Sequence, residues 1–395
     1  MKAGWQTKKL GEICEIERGG SPRPIQKFIT DDPRGINWIK IADATASDKY
    51  IYKTEEKIKP EGVKRSRMVY EGDFLLSNSM SFGRPYIMKT TGCIHDGWLV
   101  LHQPKVDPDY LYYVLSSDLV FSQFDRLAAG STVRNLNIGL AKSVEIPYPA
   151  LPEQQRIVGI LDGAFEGIAT ATANTKKNIQ NAWALFERHL HAVFTTGGEE
   201  VPLSELATDI TDGDHSPPPK ASSGVPFITI SDVVKKTREI DFSNTFSVPE
   251  WYFRNLKPNK RPKVGDVLYT VTGATLGIPI LVKQQLDFCF QRHIGLIRPK
   301  PDTDSAWLSY ALLSPQVFRQ ATSGSTGTAQ KTVSLSVLRN LKLPKKQLTE
   351  QQATAVRLDA LASQIHGLEG IYRRKLAALD ALKQSLLHQA FTGAL

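Results

Sequence analysis

An internal duplication constrains the fold of this chain more than any other feature. Leu151–Gln155 (LPEQQ) recurs as Leu348–Gln352 (LTEQQ), 197 residues later, and Leu190–Thr195 (LHAVFT) recurs at the same offset as Leu387–Thr392 (LHQAFT). Further upstream the offset drifts to 193 and then to 189, which small loop insertions explain. The chain is therefore predicted to contain two copies of one unit, each a globular block of about 150 residues followed by a better matched segment of about 45.

Both matched segments are typical of long helices. In the second one, apolar residues recur at heptad spacing, the pattern of a coiled-coil seam, at Leu358, Ile365, Tyr372, Leu379 and Leu386. The first segment is more polar in its middle, around Asn174 and Thr175. Thr349 and Gln352 have the spacing of a capping box, which predicts where the second helix starts. A helix of about 40 residues spans about 60 Å, far more than a small domain needs, so the two helices are expected to act as spacers.

The predicted fold class is α+β. Two similar mixed α/β domains are separated by two long helices that pair as an antiparallel coiled coil. Short strands are expected at Ile36–Ile41, Asp73–Leu76 and Val225–Ile230, and short helices at Tyr110–Leu115 and Trp307–Leu313. The predicted boundaries are 1–150 for the first block, 151–196 for the central helix, 197–346 for the second block and 347–395 for the C-terminal helix.

Charge and composition narrow the functional classes. The chain of 395 residues has a net charge of +9, with +3 in residues 1–150 and +5 in residues 197–348, so the excess lies in the globular blocks, as expected if they meet phosphate. The 41% hydrophobic content is that of a globular protein. Cys14, Cys93 and Cys289 have no metal-ligand spacing, and a signal peptide and a membrane-spanning segment are both absent, which predicts a cytoplasmic protein with buried thiols.

Catalytic motifs are missing from the sequence. The chain has no GxxxxGK[ST] phosphate loop and no Asn/Asp-Pro-Pro-aromatic loop, because Pro217–Pro219 follows a serine and precedes a lysine. Glu55–Lys57 fits the E-x-K half of a nuclease motif, but a solvated turn is the favoured interpretation. Asp212, Asp214 and His215 imitate a metal cluster, and an Asx-rich turn is favoured there.

Four segments resemble one known family. They are Trp5–Ile13 (WQTKKLGEI), Pro147–Gln155 (PYPALPEQQ), its copy Pro344–Gln352 and Leu386–Gly393 (LLHQAFTG). Together with the duplicated order of block and helix, they make the whole chain similar to the DNA specificity subunit of type I restriction-modification enzymes.

The resemblance implies a non-catalytic role in DNA recognition. Residues 1–150 and 197–346 would be target recognition domains, each reading one half of a bipartite asymmetric site in double-stranded DNA. Two conserved helices would hold them apart and dock two methyltransferase (modification) subunits, and restriction (motor-nuclease) subunits would join that complex. No cofactor or metal is expected in this chain, whereas S-adenosylmethionine, ATP and Mg²⁺ are implied on the partner subunits.

Candidate DNA-binding residues follow from side-chain type and loop context, since Arg, Asn, Gln, Ser and Thr can reach base edges in the major groove. For each of them a phosphate contact or a solvated side chain is the alternative. The first block offers Arg23, Asn78, Arg84, Arg134 and Asn135. The second block offers His215, Thr272, Thr275, Arg292, His293, Gln330 and Lys331. Lys176, Lys177, Arg373 and Arg374 on the helices are candidates for phosphate contacts, with a solvated helix face as the alternative.

Two other functional classes stay open from sequence alone. One is a self-contained DNA nuclease or methyltransferase, which the missing motifs disfavour. The other is a coiled-coil scaffold without a nucleic-acid role. Trp38, Trp98, Trp251 and Trp307 are expected in the cores rather than stacked on bases.

Overall fold

The structure, a computed structural model, describes residues 4–47, 49–78, 82–128, 136–195, 198–325 and 331–395. The chain divides into two units. Unit 1 comprises residues 1–175 and 374–395, and unit 2 comprises residues 176–373. Each unit therefore contains one globular block together with part of both long helices.

Unit 1 begins with a mixed α/β block. Its strands are β1 (Gln6–Lys9), β2 (Glu15–Arg18), β3 (Ile29–Thr30), β4 (Ile36–Ile39), β5 (Tyr50–Ile51), β6 (Glu56–Ile58), β7 (Arg67–Val69), β8 (Phe74–Ser77), β9 (Pro85–Met88), β10 (Gly92–Ile94), β11 (Trp98–His102) and β12 (Glu145–Tyr148). Its short helices are α1 (Leu10–Ile13), α2 (Ile41–Thr45), α3 (Pro60–Val63), α4 (Pro108–Leu115), α5 (Asp118–Ala128) and α6 (Ile138–Ser143). The long helix α7 (Leu151–Thr195) follows and continues into unit 2.

Unit 2 repeats this plan. Its strands are β13 (Glu200–Pro202), β14 (Ala207–Asp212), β15 (Val225–Ile228), β16 (Val233–Val234), β17 (Glu239–Ile240), β18 (Phe246–Val248), β19 (Val267–Thr270), β20 (Pro279–Leu281), β21 (Cys289–Phe290), β22 (Ile294–Pro299) and β23 (Lys342–Pro344). Its short helices are α8 (Leu203–Leu206), α9 (Glu250–Asn255), α10 (Ser305–Leu313), α11 (Pro315–Ser323) and α12 (Leu335–Asn340). The second long helix, α13 (Leu348–Thr392), ends in unit 1.

The sheets of the two units correspond. In unit 1 the strand order is β2-β11-β8-β9-β5 in one sheet and β3-β6-β4-β10-β7 in another, while β1 pairs with β12. In unit 2 the orders are β14-β22-β19-β20 and β18-β15-β21, with β13 paired to β23 and β16 to β17. The sheet β14-β22-β19-β20 repeats β2-β11-β8-β9, and in both the named neighbours pair antiparallel.

Buried side-chain contacts repeat at the predicted offset of 197. Gln154 accepts a hydrogen bond from the backbone N–H of Asp107 at 2.8 Å, and Gln351 accepts one from Asp304 at 2.8 Å. These glutamines explain the repeated LPEQQ and LTEQQ motifs, because each ties the first turn of a long helix to the start of a short one. Tyr113 donates to Asp162 on α7, and Tyr310 donates to Asp359 on α13 at 2.6 Å.

The two long helices pair within each unit. In unit 1, Arg156 donates to the backbone oxygen of Leu395 at 2.9 Å, and the Lys383 ammonium lies 5.3 Å from the Phe165 ring centroid, so the helices run antiparallel there. In unit 2, the rings of Trp183 and His366 lie 5.0 Å apart.

Each helix also enters a globular core. Ile157 and Leu161 of α7, with Leu387 and Phe391 of α13, belong to the main core of unit 1. In unit 2 that role is taken by Phe186, Leu190 and Phe194 of α7 and by Ala355, Leu358 and Ile365 of α13.

Three local expectations are corrected by the structure. Trp251 is 59% exposed, unlike Trp38, Trp98 and Trp307, because it lies on the short surface helix α9. Thr349 lies inside α13, which starts at Leu348, so it is not the predicted cap. Glu56 begins a strand instead of a solvated turn, and its carboxylate lies 2.7 Å from the Lys40 ammonium.

Candidate nucleic-acid interface

One edge of the β2-β11-β8-β9 sheet collects loops from distant parts of the first block. Because neighbouring strands are antiparallel, the ends of β2 and β8 lie beside the starts of β11 and β9. Backbone hydrogen bonds fix this edge: Gly19 donates to Trp98 at 3.0 Å, Gly20 to Ile94 at 3.1 Å and Asn78 to Gly97 at 3.0 Å. We call this place, built from residues 18–23, 78 and 95–97, the first edge.

A glycine is required where β2 leaves the sheet. A Cβ atom on Gly19 would lie 2.0 Å from the backbone oxygen of His95, and one on Gly213 in unit 2 would lie 2.0 Å from that of Phe290. The chain thus approaches the neighbouring strand too closely for any side chain. Glycine at these two positions therefore has an architectural cause.

Asp96 organises the first edge. Its carboxylate accepts a hydrogen bond from the Ser21 hydroxyl at 2.7 Å and lies 3.4 Å from the Arg23 guanidinium. Its backbone oxygen accepts bonds from Arg18 at 3.0 Å and from the Asn78 amide at 2.8 Å. The Ser21 hydrogen bond is the main cause that lowers the pKa of Asp96, so the group stays a carboxylate.

A cavity of about 1080 Å³ adjoins this edge. It is mainly apolar, and its polar lining includes Arg23, Lys40 and His95 beside the indole of Trp38. Burial lowers the pKa of His95, which therefore favours the neutral imidazole.

The corresponding edge of unit 2 has the same backbone scheme. Gly213 donates to Ile294 at 3.3 Å, Asp214 to Phe290 at 3.1 Å and Val271 to His293 at 3.0 Å. This second edge comprises residues 212–215, 271–272, 291–293 and 331–332. By these bonds Arg292 occupies the position of Asp96, and its side chain is exposed.

Two histidines, His215 and His293, lie near Arg292 at the second edge. The Nε2 atom of His215 lies 2.7 Å from Asp212, whose other oxygen lies 3.7 Å from the Lys260 ammonium. The pKa of His293 is lowered, first by burial and then by the charges of Arg292 and His215. The edge thus combines the guanidinium of Arg292 with the imidazoles of His215 and His293.

The structure brings most of the sequence-predicted residues to these two edges. At the first edge, Arg23 has an 80% exposed side chain, and the nearby Arg84 guanidinium lies 5.2 Å from the Tyr86 ring. At the second edge, the backbone N–H of Arg292, the residue before His293, donates at 3.0 Å to Asp214, the residue before His215. The backbone oxygen of Lys331 accepts from the Thr272 hydroxyl at 3.3 Å. Arg134, Asn135 and Gln330 lie outside the described residues.

Three predicted residues are committed to the fold. Asn78 is 2% exposed and donates its amide to Asp96. Thr272 is 3% exposed and contacts the Thr332 hydroxyl at 3.2 Å. Thr275 is half-buried in the turn Gly273–Thr275. A structural role fits these residues better than base reading.

The helix residues predicted to contact phosphate lie where the chain divides into its units. Lys176, Lys177 and Arg374 are exposed. Arg373 is different, because its guanidinium lies 2.7 Å from Glu369, one turn earlier on α13.

Sequence reasoning missed Asp96. The available signal was the His-Asp-Gly sequence at residues 95–97, just before β11, which corresponds to Gln291–His293 in the second repeat. Its partners Arg23 and Arg18 are 73 and 78 residues away in the chain, and local patterns do not reveal such contacts.

These paired edges on a duplicated scaffold agree with the family comparison. The family described as Type I restriction modification DNA specificity domain matches residues 2–181 and again residues 201–373. The chain therefore belongs to this family, and the class predicted from its sequence, the specificity subunit, is confirmed.

Individual proteins are similar over different lengths. The type I restriction enzyme MjaVIII specificity subunit of Methanocaldococcus jannaschii is 23% identical over 417 residues, which cover 98% of this chain and 92% of that protein. The MjaIX specificity subunit of the same organism is 31% identical over 163 residues, 40% of this chain and 37% of that protein.

A solved structure shares the fold. It is described as the structural basis underlying complex assembly and conformational transition of the type I R-M system, and one of its chains superposes with a TM-score of 0.76 at 22% identity. The superposition covers 100% of this chain and 99% of that chain. The predicted fold class is confirmed. Within the described residues, no helix has the length and apolar character needed to cross a membrane.

Proposed function

We propose that this chain is the subunit that gives a type I restriction-modification complex its DNA sequence specificity, with each globular block reading one half of a bipartite asymmetric site. The observation that carries the proposal is the pair of edges. The two edges are formed by corresponding strand ends in the two repeats, and both gather basic or polar side chains. They differ in which side chains occupy corresponding positions. Such a pair suits two different half-sites read by one type of scaffold.

The residues proposed to contact DNA are the exposed or half-buried ones at or beside the edges. Arginine donates to guanine in the major groove, and histidine or lysine contacts bases or phosphates. Arg23, Arg84, His215, Arg292, His293 and Lys331 take these roles. Arg134, Asn135 and Gln330 stay candidates on their sequence context, and Lys176, Lys177 and Arg374 stay candidates for phosphate contacts.

The two long helices are proposed to space the recognition blocks and to dock two methyltransferase subunits. Restriction subunits would join the complex, and S-adenosylmethionine, ATP and Mg²⁺ would bind on these partners. Two features support this role: both helices belong to both units, and a similar chain comes from work on the assembly of a type I system.

Exchange of one block tests the proposal. Residues 1–150 are replaced by a recognition domain of different specificity, and the methylated motif is read by methylome sequencing of cells that also carry the partner subunits. One half of the motif is expected to change while the other half stays the same. A change in both halves would refute the division. Binding of the full chain that ignores both DNA sequence and salt would favour a scaffold instead.

A further inference from the structure

A carboxylate is buried at the helix pair of unit 2. The Glu369 side chain on α13 is 6% exposed, and its Oε1 atom lies 2.6 Å from the Lys236 ammonium and 2.7 Å from the Arg373 guanidinium. Its Oε2 atom accepts a hydrogen bond from the Trp183 indole at 3.2 Å. A buried charge is costly unless it is paired and hydrogen-bonded. Here two cations pair with the carboxylate and the indole donates to it.

These contacts join three separate segments. Lys236 lies in the loop between β16 and β17 of the recognition block, Trp183 lies on α7, and Glu369 lies on α13. The same loop makes a second, indirect contact with α13 through Tyr310 of α10. The Arg238 guanidinium lies 5.1 Å from the ring of Tyr310, whose hydroxyl donates to Asp359 on α13 at 2.6 Å.

A short path connects this loop to the second edge. The strand β15 precedes β16 and pairs in parallel with β21. Beyond that pairing, the backbone N–H of Gln291 donates to Ile228 at 3.0 Å, and Arg292 is the next residue. A shift of the loop over the helices would therefore move the strand that supports Arg292.

Among the described residues of the first repeat, one of the two loop contacts is present. Lys49 aligns with Arg238 at the offset of 189, and its ammonium lies 5.1 Å from the ring of Tyr113, the counterpart of Tyr310. The counterparts of Lys236 and Glu369, by contrast, are Ser47 and Thr172, which are uncharged.

We propose that Glu369 is a positioning residue for the second recognition block alone. It holds the 235–238 loop on the helix pair, and through β15 it fixes how the second edge is presented. The part of this proposal that concerns DNA rests on the proposed function. The part that concerns the loop does not.

Hydrogen exchange of the full-length protein tests the loop contact. In Glu369→Gln, backbone amides of residues 233–241 are expected to exchange about tenfold faster, because a charge-assisted contact is lost and Lys236 is left without its carboxylate. The counterpart in unit 1, residues 44–52, should keep its rate. Asp380→Asn removes an exposed carboxylate from the same helix and serves as the matched control.

Further variants separate positioning from general destabilisation. Glu369→Asp keeps the charge and should restore most of the protection. The double variant Lys236→Met/Glu369→Gln should accelerate exchange no more than the larger of the two single changes. The reason is that both substitutions remove the same ion pair between Lys236 and Glu369. An unchanged exchange rate in Glu369→Gln, or faster exchange across both units alike, would overturn the proposal.

DNA binding supplies the functional measurement. Duplexes altered in either half of the methylated motif compete for the complex of this chain with its partner subunits. Glu369→Gln should lose discrimination against changes in the second half about tenfold and keep it for the first half. Equal loss in both halves, or no loss, would overturn the positioning role. If the wild-type complex discriminates in neither half, the proposed function fails, while the exchange result still decides the loop contact.

Discussion

The first and second edges share a backbone scheme and differ in charge at its centre. Asp96 and Arg292 occupy the same position. Each precedes a residue, Gly97 or His293, whose backbone oxygen accepts a hydrogen bond from the first residue after β8 or β19. The Asp96 carboxylate accepts a hydrogen bond from Ser21 and pairs with Arg23. Arg292, by contrast, is exposed beside His215 and His293. The repeat has kept the contacts that build the edge and changed those that face outward.

The difference shows that one backbone scheme accepts opposite charges at the same position, as the proposed reading of two different half-sites requires. Backbone bonds and the close glycine contact do not depend on the side chain that follows, so this position tolerates either charge. At the first edge the acid positions a neighbouring arginine, and at the second edge the arginine itself is presented. Under the proposed function, the shared scaffold predicts where each block contacts DNA, but it does not predict that the two blocks read the same bases.

The largest expected effect comes from separating the two blocks along α7. A four-residue insertion near Asn174 adds about 6 Å at ~1.5 Å per residue, nearly two base-pair rises, and largely preserves the apolar face. Methylome sequencing should show an unread gap longer by one or two base pairs, with both half-sites unchanged. The original site should no longer be methylated.

An insertion without effect would be equally informative. An unchanged gap in an assembled, active complex would mean that α7 does not set the spacing. A matched insertion in the exposed loop at 284–287 lengthens the chain away from the helices and should leave the gap as it is.

Removal of Arg292 should affect only the second half-site. Arg292→Ala deletes the exposed cation at the centre of the second edge, and a lost arginine–guanine contact costs about 1–3 kcal/mol, or roughly five- to 150-fold in affinity. Competition binding with altered half-sites measures the effect. Arg254→Ala, which removes an exposed arginine from α9 of the same unit, should change neither half. Loss of recognition in the first half would contradict the assignment.

The duplication, the long helices and several strands could be predicted from the sequence, because each depends on a local pattern or on the repeat. Heptad spacing indicated α13, and the repeat at the offset of 197 indicated α7. The strands β4, β8 and β15 lie where short runs rich in apolar residues indicated them. The side-chain commitments were not predictable. Asn78 and Thr272 are buried because strands distant in sequence pair beside them, and such pairing leaves no local signal.

Asp96→Asn should have a smaller effect, confined to the first edge. The amide can still accept from Ser21, but it no longer attracts Arg23, whose exposed ion pair is worth about 0.2–1 kcal/mol. Discrimination in the first half-site should fall by roughly two- to fivefold. Because one negative charge is lost, the plot of log affinity against log salt concentration should become steeper. The change in slope should be at most about that of one phosphate contact. The second half-site provides the internal control, and unchanged discrimination in the first half would exclude a positioning role for Asp96.

The smallest expected effect is a pH-dependent difference between the helix pairs of the two units. Lys236, followed by Arg373 and the Trp183 indole, lowers the pKa of Glu369 from 4.5 to about 2. The pKa is lower in the folded state, so the stabilisation is fully present above pH 4.5 and is lost as the pH falls toward 2. His366 packs on the Trp183 ring at 5.0 Å. The difference in unfolding free energy between the wild type and Glu369→Gln should therefore narrow from pH 5 to pH 3 in urea titrations. Thr172→Ala, at the uncharged counterpart on α7, should show a constant difference over this range, and a constant difference for Glu369→Gln would exclude the ionised contact.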